Sequence, residues 1–387
     1  MEDRRLRFSI FHSRSSTRQS ARQFFGCLFL VTLIGSGLSG CSPFYVLRAA
    51  YEEGMILWRR EPIADYLQKP EINADTQEKL KLVLAVREYA RDVLNMNVGG
   101  SYSSYSYVDR PDLSFVLTAA PRTELKPYTW WFLIVGRVPY KGYFSKKDAD
   151  LAAAELQTAG YDTNIRSTAA FSTLGWFDDP LLLHLLRYDK ITLAGVVFHE
   201  LFHNTLYIKG AGAFNESMAN FVGGRAAIDF FRDKFGEGSA EHRRALEAWD
   251  EELEFSAFIE QLGADLTSLY GMEMPLSEKL RERDKVFAEG KERWAGRVAG
   301  NPSHRFRNFP KQPLNNAVMV HYLLYFKELR LFQALYETQG NDLNKTISVI
   351  RAAVADGGEP FEAVRGRVKE GGRPKDEDRG SRIKAGG

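Results

Sequence analysis

The chain has 387 residues, of which 44% are hydrophobic and 26% charged, and this composition excludes a fibrous or wholly disordered protein. Its 52 Lys and Arg residues nearly balance its 50 Asp and Glu residues, so the net charge of +2 gives no indication of a nucleic-acid partner. Both cysteines, Cys27 and Cys41, lie near the N-terminus. The remainder of the chain therefore offers no internal disulfide and no thiol nucleophile.

Residues 1–40 have the pattern of a secretion signal. Six arginines precede an apolar run over 24–35, which is shorter than the ~20 residues of a membrane-spanning helix. The sequence Leu-Ser-Gly-Cys that follows looks like a bacterial lipobox, which implies acylation of Cys41, and Ser42 suggests sorting to the outer membrane. We therefore predict a lipid anchor on the periplasmic side of the outer membrane. An uncleaved anchor helix is the alternative.

The first half of the remaining chain predicts helices and then a mixed segment. Residues 41–110 are predicted to be an N-terminal helical region, because apolar residues recur at helical spacing over 74–94. Residues 111–175 predict a small α+β segment, in which aromatic and β-branched strands flank an Ala-rich helix over 146–160. Gly160 is placed to end that helix.

The second half predicts helices up to the C-terminal tail. Residues 176–360 are predicted to be a helical catalytic region, and the charged stretch at 237–300 favours a solvated helical hairpin. Residues 366–387 contain almost no apolar side chains, so we expect a disordered tail. The predicted fold class is mainly α with a small α+β segment.

The segment 193–207, LAGVVFHELFHNTLY, predicts a metal site. His199 and His203 are four residues apart, so a helix places both imidazoles on one face, where they can bind one Zn²⁺. The surrounding apolar residues indicate a buried helix, in which an unpartnered polar group costs about 1–3 kcal/mol. Glu200 has the position of the general base in the HExxH motif.

A catalytic zinc needs a third protein ligand and one open position. The glycines in the turn at 208–212 can reverse the chain, and Asn215 is a favourable N-cap for a second helix. Glu216 would then lie in the first turn of that helix, where a carboxylate is also favoured electrostatically. Glu200 as a ligand is the lesser alternative. The predicted ligands, on two adjacent helices, are His199, His203 and Glu216.

These groups predict peptide hydrolysis by a zinc-activated water, with Glu200 accepting the water's proton. The oxyanion needs a further hydrogen-bond donor, and the segment 314–326 offers three candidates: His321, Tyr322 and Tyr325. Their spacing does not distinguish them, and we take Tyr322 as the catalytic candidate. A buried aromatic helix without a catalytic role is the alternative.

Several segments together resemble the bacterial putative aminopeptidases of the gluzincin type. The similarity is carried by FSTLGWFDDP at 171–180, HELFH at 199–203 and FNES at 214–217. Shorter segments at 58–63, 140–145 and 315–317 fit the same pattern, so the resemblance covers about 45–350. The resemblance implies a gluzincin-like zinc site, which supports His199, His203 and Glu216 as ligands, and it implies aminopeptidase activity.

An aminopeptidase also needs an acid that holds the α-ammonium group of its substrate. Asp178 and Asp179 form an acidic pair before the histidine helix and are the candidates. The alternative is structural, because Asp179 can cap a helix that has Pro180 at its first position.

The sequence therefore predicts a zinc-dependent peptidase, an aminopeptidase rather than an endopeptidase, which acts on peptides in the cell envelope and is held there by the lipid on Cys41. A different class of function is an envelope lipoprotein that binds a partner and uses zinc structurally. A structural site would need a fourth protein ligand. The other histidines form no ligand pair, which favours an open, catalytic position.

Overall fold

The computed structural model of the chain describes residues 51–52, 54–108, 112–132, 136–168, 178–355 and 357–371. The described residues from Glu52 onwards belong to one compact unit. None of the helices that the structure describes has an apolar stretch long enough to cross a bilayer. The predicted signal over 1–40, the predicted acylation site Cys41 and the end of the predicted tail all lie outside the described residues.

Short strands and one long helix make up the first part of the described chain. They are β1 (Arg60–Pro62), α1 (Ile63–Tyr66), α2 (Ala74–Asp92) and β2 (Ser104–Ser106). The side chain of Asn73 caps α2 by accepting a hydrogen bond from the backbone N–H of Thr76. Leu80, Val83 and Val86 are fully buried along one face of α2, so the helix predicted over 74–94 is confirmed.

The small α+β segment contains an antiparallel sheet in the order β6-β3-β7, a separate β4-β5 hairpin and one helix. Its elements are β3 (Ser114–Pro121), β4 (Trp130–Phe132), β5 (Gly136–Val138), β6 (Lys141–Tyr143), α3 (Lys146–Thr158) and β7 (Tyr161–Thr168). Gly160, with φ +89°, takes the left-handed conformation beyond the end of α3, as predicted.

Helices dominate the rest of the described chain after β8 (Leu181–Leu182), which pairs with β2, and the 3₁₀ turn Leu183–Arg187. They are α4 (Lys190–His203), α5 (Gly212–Phe235), α6 (Ala240–Gly271), α7 (Leu276–Val298), α8 (Asn316–Tyr325), α9 (Leu329–Thr338), α10 (Leu343–Ala355) and α11 (Pro360–Gly371). The prediction of a mainly helical fold is confirmed.

Two sequence expectations differ from the structure in this region. The pair α6 and α7 occupies the predicted hairpin, but it is not simply solvated, because Phe255, Ile259 and Trp294 are buried in an aromatic cluster. The first part of the tail predicted to be disordered from 366 is helical, because residues 366–371 continue α11. Phe361 and Val364 are buried and anchor that helix to the main core.

Helix α8 lies along β7, and this arrangement places groups near the histidine helix. At its start, the backbone N–H of Asn316 donates to the carboxylate of Asp162 at 3.0 Å. At its end, the guanidinium of Arg166 contacts the hydroxyl of Tyr325 at 3.5 Å. Four strand residues span about 13 Å, and nine helical residues span about 13.5 Å. The two elements therefore have nearly equal lengths between these two contacts and run side by side.

Candidate metal centre

Helix α4 is fixed in rotation by its apolar side chains. Asp189 caps it by accepting from the backbone N–H groups of Ile191 at 2.9 Å and Thr192 at 3.0 Å. The buried apolar residues are Leu193, Ala194, Val197, Phe198, Leu201 and Phe202. Because these residues face the core, His199 and His203 are left on the face that meets α5.

Helix α5 brings Glu216 back past α4, but it begins differently from the prediction. Asn215 is not the N-cap, because α5 starts at Gly212. The Asn215 side chain instead accepts from the N–H of Ile208 at 2.9 Å and donates to its carbonyl at 2.8 Å. Asn215 thus closes the turn, and Glu216 lies in the second helical turn rather than the first.

The three predicted ligands converge in the structure. Nε2 of His199 lies 3.1 Å from Nε2 of His203, and Oε2 of Glu216 lies 3.4 Å and 3.7 Å from those two nitrogens. Ligand atoms about 2.05 Å from a tetrahedral zinc are about 3.3 Å apart. The exposed fractions of the side chains are 10% for His199, 4% for His203 and 15% for Glu216. This group could therefore bind one metal ion.

The three side chains are close enough together to shift the pKa values of His199 and Glu216. Burial lowers the pKa of His199, but the hydrogen bond that its imidazole donates to Glu216 and the charges of Glu200 and Glu216 outweigh burial and raise the pKa overall. Burial raises the pKa of Glu216, but the charges and hydrogen bonds of His203 and His199 hold that pKa well below its usual range. Glu216 is therefore ionised, which is the state that a metal ligand needs.

Two glycines bring α4 and α5 into contact beside this group. A Cβ atom added to Gly223 would lie 2.6 Å from the carbonyl oxygen of Gly195 and 3.3 Å from Cβ of His199. No side chain other than hydrogen fits at Gly223 without moving a helix. The sequence analysis did not identify these glycines, although Gly195 lies one helical turn before His199.

Asn220 supports the group from one turn beyond Glu216. Its side chain hydrogen-bonds with the imidazole of His199 and also donates to the backbone carbonyl of Tyr325 at 2.7 Å. Such a partner fixes the orientation of a ligating histidine and is typical of metal centres. Asn220 is not predictable from the sequence alone, because its only local signal is its position four residues after Glu216.

Protonated tyrosines surround the carboxylates. Burial, followed by the charge of Glu216, raises the pKa values of Tyr140 and Tyr325, and the charge of Glu200 adds to both effects. Burial and the charge of Glu200 likewise raise the pKa of Tyr102. These phenols therefore keep their protons and can donate hydrogen bonds at neutral pH.

Tyr325 lies between His199 and a cationic side chain. Its ring stacks near the His199 ring, with centroids 6.4 Å apart, and its oxygen accepts from Nη2 of Arg166. Since Arg166 acts as the donor, the phenol's own proton is left to donate elsewhere. Burial and the charge of Arg166 lower the pKa of the neighbouring His321 to about 3, so that imidazole is neutral.

Tyr322, the predicted catalytic candidate, lies apart from the three ligands. Its hydroxyl exchanges hydrogen bonds with the side chain of Gln312 at 3.0 and 3.1 Å. Its ring packs against Phe255 and Phe309 in the second aromatic cluster. The structure thus brings Tyr325 to the site and leaves Tyr322 in the packing of the neighbouring core.

Asp178 and Asp179 hold a loop in place. The Asp178 carboxylate accepts from the N–H of Gly100 at 2.7 Å. Asp179 is buried, and its backbone carbonyl accepts from the N–H of Tyr102 at 2.7 Å. The alternative prediction, a helix cap at Asp179, is wrong, because β8 and a 3₁₀ turn follow Pro180 instead of an α-helix.

Comparison with known protein families agrees with this arrangement. Residues 44–357 match the family described as "Putative aminopeptidase". The chain belongs to this family. No curated protein and no solved structure matches the chain. The predicted resemblance is thereby confirmed for the putative aminopeptidase family, and the match includes every residue of the candidate metal centre.

We expect Zn²⁺ to stabilise this aminopeptidase family member through the three ligands. At 1,000 times its dissociation constant, a ligand raises the free energy of unfolding by about 4 kcal/mol. The measurement is the thermal transition with and without zinc, in wild type and in His203→Gln. A matched control is His242→Gln, which alters a buried histidine on α6. Equal zinc-dependent shifts in His203→Gln and wild type would contradict the assignment.

Proposed function

We propose that the chain is a zinc-dependent peptidase, an aminopeptidase, that hydrolyses peptides in the cell envelope. The observation that carries the proposal is the convergence of His199, His203 and Glu216 at the spacing of one tetrahedral ion. Glu200 follows the first ligand directly, as the general base of an HExxH site does. The family match supports peptidase activity independently of this geometry.

The ligand set favours a catalytic ion over a structural one. Two imidazoles and a carboxylate are the protein ligands of many catalytic zinc sites, whereas structural sites have four protein ligands. Within the described chain, the group has three members. A fourth position would remain for water and substrate, so the geometry supports an enzyme more than a binding lipoprotein.

The residues around the group have separable chemical tasks. A bound zinc would supply Lewis-acid polarisation of the peptide carbonyl and a nucleophilic water near neutral pH. Glu200 accepts the proton of the attacking water and delivers it to the leaving amine. The Tyr325 hydroxyl donates a hydrogen bond to the developing oxyanion. Its proton is available for this bond because Arg166 is the donor in the contact with the Tyr325 oxygen.

Recognition of the substrate's α-ammonium group is a further part of the proposal. The charges of Glu200 and Asp179 both raise the pKa of Tyr102, so both carboxylates lie in the neighbourhood of that phenol. Asp178 is engaged by the backbone of Gly100. We therefore favour Asp179 over Asp178 for this role.

Glu200→Gln tests the mechanism, because it removes the proton acceptor and keeps the size of the side chain. We expect peptide hydrolysis to fall by roughly 10²–10⁴-fold while zinc remains bound. Mass spectrometry of a digested peptide library measures the activity, and metal analysis measures the zinc. Glu247→Gln, an exposed change on α6, is the control. Undiminished hydrolysis by Glu200→Gln with zinc in place would exclude the mechanism.

Tyr325→Phe and Tyr322→Phe form a matched pair on one helix. Loss of an oxyanion donor costs about 10²–10³-fold in kcat, and we expect that loss only in Tyr325→Phe. In Tyr322→Phe the hydrogen bonds to Gln312 are lost, so its stability decreases by about 1 kcal/mol while kcat is kept. Steady-state kinetics and chemical unfolding measure the two quantities. The reverse pattern would assign the oxyanion role to Tyr322.

The location in the envelope is proposed from the signal pattern that precedes the described residues. Acylation of Cys41 would place the chain in the membrane fraction, whereas Cys41→Ser should be recovered in the soluble periplasmic fraction. Fractionation of cells that express each form measures the difference. If Cys41→Ser remains in the membrane fraction, an uncleaved anchor helix replaces the lipid anchor.

A further inference from the structure

Arg166 is a partly buried cation with few partners among the described residues. Its Nη2 atom makes one long contact with the Tyr325 hydroxyl at 3.5 Å, and its guanidinium lies 5.8 Å from the centre of the Tyr325 ring. Its Nε atom is buried and has no hydrogen-bond partner in the part of the chain that the structure describes. A guanidinium has five N–H donors in a planar fork, so most of the hydrogen-bonding capacity of Arg166 is unused.

The strand that carries Arg166, which is described over its whole length, offers it no counter-ion. Its direct partner on β3 is Val116. Asp162 is the acidic residue of β7, but its carboxylate is engaged by Arg283 at 2.9 Å and by the N–H of Asn316 at 3.0 Å. Asp162 also lies four residues away, about 13 Å along the strand. Among the described residues this half-buried charge has no acidic partner, which is costly and points to an anion from outside the chain.

The guanidinium is close to the candidate metal centre. The ring of Tyr325 is near both His199 and Arg166, and the charges of Arg166 and Glu216 both act on His321. Two neutral side chains, Tyr325 and His321, are therefore close to both Arg166 and the ligand group. Neutral, buried surroundings strengthen the attraction between a guanidinium and a carboxylate.

Building on the proposed peptidase function, we propose that Arg166 binds a carboxylate of the substrate, adjacent to the peptide bond that is cleaved. The carboxylate is either the C-terminus of a short peptide or an acidic side chain. The centre of the Tyr325 ring lies 6.4 Å from that of the His199 ring and 5.8 Å from the Arg166 guanidinium. Successive Cα atoms of a peptide are about 3.8 Å apart, so a bound peptide needs no more than about three residues to reach from the His199 ring to Arg166. Arg166 therefore selects short or acidic peptides.

The test measures peptide binding, so that it does not depend on hydrolysis. Zinc-loaded Glu200→Gln is titrated calorimetrically with Ala-Ala, Ala-Ala-amide, Ala-Glu-amide and Ala-Gln-amide. A charge-assisted pair of this kind contributes roughly 10- to 100-fold in affinity. We therefore expect roughly 10- to 100-fold tighter binding of Ala-Ala than of Ala-Ala-amide, of Ala-Glu-amide than of Ala-Gln-amide, or in both comparisons. The first preference identifies the terminal carboxylate and the second an acidic side chain.

Arg166→Gln in the same background should remove the preference, and Arg166→Lys should keep part of it because the charge remains. Arg137→Gln, an exposed change on β5, should leave it unchanged. Equal affinities for the acid and amide peptides in the Arg166-containing protein would overturn the proposal. So would an Arg166→Gln variant that retains the preference.

Kinetics of the otherwise wild-type enzyme separate this proposal from the proposed function. If Arg166 only orients Tyr325, Arg166→Gln lowers kcat equally for all four peptides and leaves KM unchanged, which overturns carboxylate binding. If the wild type binds carboxylate peptides through Arg166 but hydrolyses none, the subsite stands and the peptidase function fails. Hydrolysis without any preference for a carboxylate supports the peptidase function and overturns the subsite.

Discussion

The close contact between α4 and α5 at Gly195 and Gly223 is the constraint on which the candidate metal centre depends. His199 and His203 project from one helix and Glu216 from the other, so the separation of the helices sets the separation of their donor atoms. Functional groups of this kind need placement within about 0.5 Å. A contact without side chains meets that requirement, because two backbones in van der Waals contact have little freedom to shift.

A second contact, between α8 and β7, supplies the polar groups around this centre. The Asp162 carboxylate accepts a hydrogen bond from the start of α8, and the end of α8 lies beside Arg166. Tyr325 is thereby placed between the guanidinium and His199, and Asn220 ties its backbone to α5. The site combines the carboxylates of Glu200 and Glu216 with a nearby cation and neutral phenols.

Features set by local sequence were predictable, whereas those set by distant packing were not. His199 and His203 follow from helical periodicity, and Glu216 follows from a short turn between two helices. Tyr322 and Tyr325 are three residues apart on one apolar helix, and only packing against Phe255 or His199 distinguishes them. The placement of Arg166 depends on pairing between β3 and β7, which no short segment encodes. The glycine contact likewise requires both helices to be in place.

The glycine contact lies about two helical turns along α5 from the third predicted ligand. Glu216 lies seven residues from Gly223, about 10.5 Å along the helix axis. A tilt of about 5° around Gly223 would move the Glu216 carboxylate by about 0.9 Å, enough to open the three-ligand group. The contact at Gly223 limits such a tilt, and a metal ion bound by side chains of both helices would oppose it further. The crossing angle of α4 and α5 would in this way depend on occupancy of the candidate metal centre.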